Sequence, residues 1–306
     1  MSYQKTHFFS LLKGSALCGL AAAGLFCVCI PASAQERAGG ERRSRFMDRI
    51  DQEEGAERLA VFRQQRLDGD FKFEFELQHK PRKSSRTIRY RGSMWGSWNE
   101  IGPVTRIQVF PAPRARGEQG MQIEAVELII QNGVEPQAWI RRTEGGEFKL
   151  LHGDALFEPL LPGLLYSPFD LQMPFVYWED FVYEGPTLVG ASRVGQQFLM
   201  QPPPGSASAA RGISGVRMTL DDDYNALWRI EVVNTDGNAE SRFEVEGIKK
   251  VQEQYIVKRI TLTELPSEDS TSFEVKDASV GISIPRDFFR ADPVLDAKAN
   301  AETDKR

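Results

Sequence analysis

From Phe71 onward the apolar side chains fall on every second position: Phe71, Phe73, Phe75 and Leu77 alternate with Lys72, Glu74, Glu76 and Gln78. Successive side chains of a strand point to opposite faces, so this stretch has one aromatic face and one charged face and reads as a half-buried antiparallel strand. The same period returns over Arg86–Met94, Val104–Phe110, Gln122–Gln131 and Pro136–Arg142. Lys80-Pro81, Ile101-Gly102-Pro103, the Pro111–Gly120 loop and Asn132-Gly133 break the runs. Beyond Gly185 it resumes at Leu188–Val194, Gln197–Gln201, Gly215–Leu220, Ala226–Val233, Ser241–Lys249, Gln254–Thr263 and Ser270–Lys276, with Asp236-Gly237 as a hairpin turn. The pattern predicts a mainly β fold of about ten or eleven strands in one large antiparallel sheet with one apolar face. So wide a sheet curls, and its concave side needs cover.

The cover is predicted between Ala155 and Phe181. Leu156, Phe157, Leu160, Leu161, Leu164 and Leu165 crowd into its first half, and Phe169, Leu171, Met173, Phe175, Trp178 and Phe181 into its second. Pro159, Pro162, Pro168 and Pro174 punctuate the run, which rules out one long helix and favours short helices starting at or after the prolines. Laid over the sheet, this segment faces Phe71, Phe73, Phe75, Ile88, Tyr90, Met94, Trp95 and Trp98. The arrangement makes either an ordinary packed core or a lined apolar cavity.

The chain opens like an export signal. Lys5 and Lys13 precede an apolar run from Ala16 to Ile30, and Ala32-Ser33-Ala34 offers a small-residue cleavage site before Gln35. The run is about 15 residues, short of the roughly 20 a spanning helix needs. Cys18, Cys27 and Cys29 all lie in residues 1–34, so the exported chain forms no disulfide or thiolate metal site and depends on its core. Removing this segment leaves 36 basic and 43 acidic side chains, a formal charge of −7, which argues against nucleic acid as a partner. Residues 35–56 are charged and poor in core formers and read as a flexible leading segment. A short amphipathic helix with Ala60, Phe62 and Leu67 on its apolar side follows, ending before Asp68-Gly69. Residues 57–290 are expected to form a single domain, and 291–306 a disordered tail.

Catalytic and metal signatures are weak. Asp221, Asp222 and Asp223 fall where the chain reverses between two strands, where Asp and Asn bond nearby backbone, and they lack the spaced oxygens and distal Glu of a calcium loop. His79 and His152 are the histidines outside the signal, and neither stands in a metal-ligand spacing. Gly190-Ala191-Ser192-Arg193-Val194-Gly195 misplaces the second glycine of a nucleophile elbow and precedes no helix. Glu179 and Asp180 form an acidic pair in the aromatic insertion, but adjacent acids on a short helix diverge. The expectation is a protein with no catalytic residues, no metal and no cofactor.

Several stretches resemble the LolA/LolB-like superfamily of periplasmic lipoprotein carriers, and more closely the outer membrane lipoprotein-sorting protein branch. They are Met173-Pro174-Phe175-Val176-Tyr177-Trp178-Glu179-Asp180-Phe181 with Tyr183-Glu184-Gly185-Pro186, then Val216-Arg217-Met218-Thr219-Leu220-Asp221, Tyr224-Asn225-Ala226-Leu227-Trp228-Arg229-Ile230-Glu231 and Tyr255-Ile256-Val257-Lys258-Arg259-Ile260. The likeness runs over roughly 57–289. It implies an incomplete, strongly curved antiparallel β-barrel closed by a helical lid, whose cavity takes lipoprotein acyl chains during sorting to the outer membrane. The ligand-contacting residues are then expected among Phe71, Phe73, Phe75, Ile88, Tyr90, Trp95, Leu160, Leu161, Leu164, Phe175 and Trp178. Implied partners are a loading complex at the inner membrane and an acceptor at the outer membrane, with the carrier a monomer. In that family an arginine holds the empty lid shut; Arg89, Arg91 and Arg106 lie on strands here, and none sits in a matched stretch. A second reading is a periplasmic binding protein for another lipid or hydrophobic small molecule, associated with an exporter.

Overall fold

The computed structural model describes residues 49–111, 125–133, 136–142, 145–189 and 193–291. The export signal and most of the leading segment and tail lie outside them, as do 190–192 of the rejected elbow.

Among the described residues one antiparallel sheet holds 13 strands. They are β1 Asp70–Lys80, β2 Ile88–Trp98, β3 Pro103–Pro111, β4 Val126–Gln131, β5 Gln137–Arg141, β6 Lys149–Leu150, β7 Phe181–Val189, β8 Arg193–Met200, β9 Ile213–Asp221, β10 Leu227–Asn234, β11 Ala239–Val251, β12 Gln254–Glu264 and β13 Ser270–Ile282. Their order across the sheet is β6-β5-β4-β3-β2-β1-β13-β12-β11-β10-β9-β8-β7. Two meanders meet where β1 pairs β13, and β6 and β7 are the two edges.

This order forces the lid. The chain leaves β6 at one edge and must reach β7 at the other, so residues 151–180 cross the whole width of the sheet. Laid flat, thirteen strands spaced about 4.8 Å apart are nearly 60 Å wide. Curling shortens that path and gives the crossing segment a concave face to fill. Register shifts in β1, β7, β10 and β11 mark bulges, which sharpen local twist and bend. The crossing segment is broken as its prolines require: a 3-10 turn at Gly153–Leu156, helix α2 at Pro168–Gln172, and a 3-10 turn at Pro174–Tyr177. Ser167 caps α2 in a reciprocal capping box with Asp170, and Met173 takes φ 50° to turn the chain between the two helical pieces.

Several sequence expectations are corrected. The run Leu188–Val194 is not one strand: Leu188 and Val189 end β7 and Arg193 and Val194 begin β8. Strands are expected to resume beyond Gly185, yet β7 runs through it, with a bulge at Gly185 and the edge strand tolerating the missing Pro186 N–H. Phe181 accordingly opens β7 and is not part of the lid. Helix α1, Gln52–Arg63, starts inside the segment expected to be flexible, because Asp51 caps it by accepting from the Glu54 N–H at 2.9 Å while Glu53 and Glu54 suit its N-terminal dipole. Its buried face is Gly55, Leu59 and Phe62; Ala60 points to solvent and Leu67 is buried beyond the helix. No helix of the described residues is long and apolar enough to cross a membrane.

Candidate functional site

The floor beneath the lid is aromatic because β1 and β2 alternate in phase. Phe71 stacks on Phe73 with centroids 4.5 Å apart, and Phe75 stacks on Phe273 of β13 at 4.4 Å. Opposite these rings β2 carries glycine: a Cβ on Gly96 would lie 2.1 Å from the Phe71 ring, and one on Gly92 would lie 2.4 Å from that of Phe75. The rings lie across their backbone, so the floor is as smooth as it is apolar.

The lid contributes Leu160, Leu161, Leu164, Tyr166, Phe169, Phe175 and Trp178 to the same core cluster as that floor. Of the eleven residues singled out from the sequence, ten meet here: Phe71, Phe73, Phe75, Tyr90, Leu160, Leu161, Leu164, Phe175 and Trp178 are buried in the cluster, and Ile88 packs against it. Trp95 does not. It points to the opposite face of the sheet, where it packs edge-on against Phe288 at 5.2 Å in a second cluster with Val104, Ile129 and Phe289. The phase of β2 decides this, since Tyr90, Met94 and the two glycines occupy the concave side and an odd neighbour must leave it.

Side chains clasp the lid along its length. Tyr90 Oη donates to the Pro162 carbonyl at 2.7 Å, and Arg142 Nη1 donates to that of Leu160 at 2.9 Å. Asn132 Nδ2 donates to the Gln172 carbonyl at 2.7 Å. From α1, Arg63 donates through Nε to Val176 O at 2.6 Å and through Nη2 to Trp178 O at 2.7 Å. Burial lowers the pKa of Arg63, while Tyr177 and Glu179 oppose that shift. None of the three arginines considered from the sequence does this work: Arg89 and Arg91 are exposed, and Arg106 is wholly buried on the other face, bonded to Glu127 and the Phe288 carbonyl. Arg63 and Arg142 were missed because a guanidinium that seeks backbone carbonyls leaves no paired acid in the sequence.

His79 is buried under the same segment. Its Nδ1 is 3.0 Å from Thr271 Oγ1, which also accepts from the Leu165 N–H at 3.2 Å, and burial lowers its pKa despite Asp269. Asp170 of α2 accepts from Ser167 N and Oγ, and burial raises its pKa to about 6. Among the described residues the buried Tyr166 hydroxyl has no hydrogen-bond partner, and burial raises its pKa well above the usual phenol value.

The aspartate run is a turn, as its position implies. Asp221 accepts from the Asp223 and Tyr224 N–H groups, and Asn225 takes φ 53°. The turn also docks α1, through an Arg58–Asp222 contact at 2.8 Å and a bond from Asn225 Nδ2 to the Arg58 carbonyl. Among the described residues no three His, Cys, Asp or Glu are grouped to hold a metal ion. His152, Glu179 and Asp180 are exposed.

Two small spaces lie at the lid–sheet interface among the described residues. A void of about 10 Å³ lies against Phe175, Ile230 and Phe243. A cleft of about 210 Å³ opens beside it, between the lid and strands β9 to β12. Both fall below the roughly 300–1,000 Å³ of a formed ligand pocket, so neither holds a bulky guest unless the lid moves.

No protein-family model matches the sequence, and no curated protein resembles it in sequence. Solved structures do resemble it in fold. A DUF1329 family protein from Desulfovibrio piger aligns with a TM-score of 0.63 and 10% identity over 78% of this chain and 96% of its own. A putative outer membrane lipoprotein-sorting protein domain from Vibrio parahaemolyticus aligns at 0.61 and 14% identity, covering 79% and 97%. The LolA superfamily protein NE2245 from Nitrosomonas europaea aligns at 0.52 and 12% identity, covering 73% and 90%. The match in fold to these structures, over 73–79% of this chain, gives its single antiparallel sheet with short helices a LolA-like fold.

Proposed function

We propose that this protein is a periplasmic carrier without chemistry of its own, which shelters lipoprotein acyl chains between the concave sheet and the lid during sorting to the outer membrane. The observation that carries this reading is how the lid is attached. Among the described residues, segment 157–179 sends no backbone-to-backbone hydrogen bond to the sheet; the clasps are side chains of Arg63, Tyr90, Asn132, Arg142 and Thr271. Such a cover lifts without tearing a strand ladder.

The energetics suit reversible carriage. Burying a sixteen-carbon chain at about 0.8 kcal/mol per methylene is worth on the order of 10 kcal/mol, against which stands the cost of parting lid from floor. A closed empty form and a loaded open form can then differ by only a few kcal/mol, as handover from an inner-membrane loading complex to an outer-membrane acceptor requires. The fold supports the carrier class, and the signal-like residues 1–34 support the periplasm. The carrying unit takes in all of α1 and so runs over residues 52–290, acting as a monomer.

Binding of a fluorescent palmitoyl-peptide by the purified protein tests the proposal, alongside native mass spectrometry of protein isolated from periplasm. A bound acylated species and saturable uptake of the probe are expected, with the same peptide lacking its acyl chain ignored. A folded protein that takes up neither palmitoyl-peptide nor any acylated species is not a carrier of this kind.

A further inference from the structure

The lid is pinned unevenly. Tyr90, Arg142 and Asn132 fasten it toward β2, β4 and β5, Thr271 fastens Leu165 from β13, and Arg63 holds its C-terminal end from α1. Along the opposite border, among the described residues, no hydrogen bond joins residues 157–170 to strands β9 to β12. The cleft lies on that free border. Phe157, Leu165 and Phe169 of the lid form one wall, and Ile213, Val232 and Leu262 of the sheet form the other.

The small void adjoins the cleft. Both are lined by Asp170, Val232, Ser241 and Leu262, so these four residues form the constriction between solvent and the interior. The rim carries charge of both signs: Arg211 lies over the Phe157 ring at 5.9 Å, with Glu240 and Glu264 beside it. Among the described residues Arg211 has no acidic partner, so its guanidinium faces whatever occupies the rim.

We infer that this cleft is the mouth of the carrier, through which the hydrocarbon tail of an amphiphile passes between α2 and strands β9 to β12 while its polar head stays outside at the rim of Arg211, Glu240 and Glu264. The inference rests on the carrier reading. The tail enters where the wall is apolar and the lid unfastened, and the pinned borders serve as the hinge. A charged head meets only solvated charges and is never dragged through the core, where an unpaired ion would be strongly disfavoured.

Stopped-flow uptake of the fluorescent palmitoyl-peptide by the full chain tests this. Glu240→Trp, from an exposed position on the rim, and Ser241→Trp, at the constriction, are expected to slow uptake at least tenfold with an unchanged melting temperature. Arg91→Trp, exposed on the outer face, is expected to match wild type. Wild-type uptake that persists unchanged in Glu240→Trp and Ser241→Trp overturns the mouth and leaves the carrier intact. Failure of the wild-type protein to bind the probe removes the carrier and the mouth together.

Discussion

Arg63 and Val176 stand 113 residues apart in the chain and 2.6 Å apart in space. The guanidinium that ends α1 holds the last turn of the lid by two carbonyls, Val176 and Trp178. The N-terminal helix is thereby a clasp, itself fixed to the Asp221–Asn225 turn through Arg58 and Gln65. Hydrogen bonds from a charged donor are worth about 1.5–3 kcal/mol each.

Arg63→Ala should therefore loosen the lid while sparing the sheet. Hydrogen exchange of amides in 157–178 is expected to accelerate by about tenfold or more, with β1, β12 and β13 unchanged, since local opening and global unfolding are separate events. Uniform acceleration across the sheet would make Arg63 a general structural residue and not a clasp.

The smooth floor predicts a sharp asymmetry between two glycines. A Cβ at Gly96 meets the Phe71 ring at 2.1 Å, whereas at Gly247 its nearest contact is Lys258 Cβ at an ordinary 3.9 Å. Overpacking a filled core costs about 1–3 kcal/mol or more. Gly96→Ala should lower Tm by about 2–4 °C for each kcal/mol lost. Gly247→Ala should leave it near wild type, and equal melting of the two variants would contradict the packing described here.

The sheet was legible from the sequence because alternation is a local signal. Where one face is aromatic and the other charged, as in Phe71 to Gln78, period two leaves no other reading. What escaped lies where the signal is non-local or interrupted. β6 has two residues and no period, and the bulge at Gly185 conceals β7. Trp95 was placed under the lid by composition, yet its parity in β2 puts it outside. The clasps were illegible in principle: nothing in the residues around Arg63 announces carbonyls more than a hundred positions away. The crossing of the lid from edge to edge likewise follows from strand order, which periodicity does not encode.

Arg106 offers the counterpart to Arg63. It is fully buried on the outer face, bonded to Glu127 at 2.5 Å and to the Phe288 carbonyl at 2.7 Å, with its guanidinium 4.5 Å from the Phe288 ring. Arg141 and Gln108 also donate to Glu127, so losing Arg106 leaves that carboxylate two partners and takes a donor from the Phe288 carbonyl. Arg106→Ala is expected to destabilise the fold by less than the about 3–5 kcal/mol of an unpaired buried charge, because Arg141 still compensates Glu127. The 286–289 turn should exchange faster, with the lid behaving as in wild type. A loosened lid in this variant would show that the two faces are coupled.

The last prediction concerns pH. Asp170 is raised from 3.8 to about 6, chiefly by burial, with the Ser167 hydrogen bonds pulling the other way. The closed form thus binds this proton more tightly than the unfolded chain does. Stability from this group is fully present below the unfolded value and is lost as pH rises through about 6. His79 acts in the opposite sense: burial lowers its pKa, so its contribution is present above its ordinary value and is lost as pH falls through the lowered one. Tyr166 beside Asp170, and Arg211, Glu240 and Glu264 across the cleft, are the other ionisable groups at this border. Asp170→Asn keeps an oxygen to accept from Ser167 and removes the titration. Between about pH 5 and pH 7 the wild-type lid should match Asp170→Asn at the acid end and exchange progressively faster than the variant as pH rises, once the intrinsic pH dependence of exchange is divided out. Identical profiles for the two proteins would mean that Asp170 stays ionised under the lid throughout, and that the cleft is wetter than its apolar walls imply.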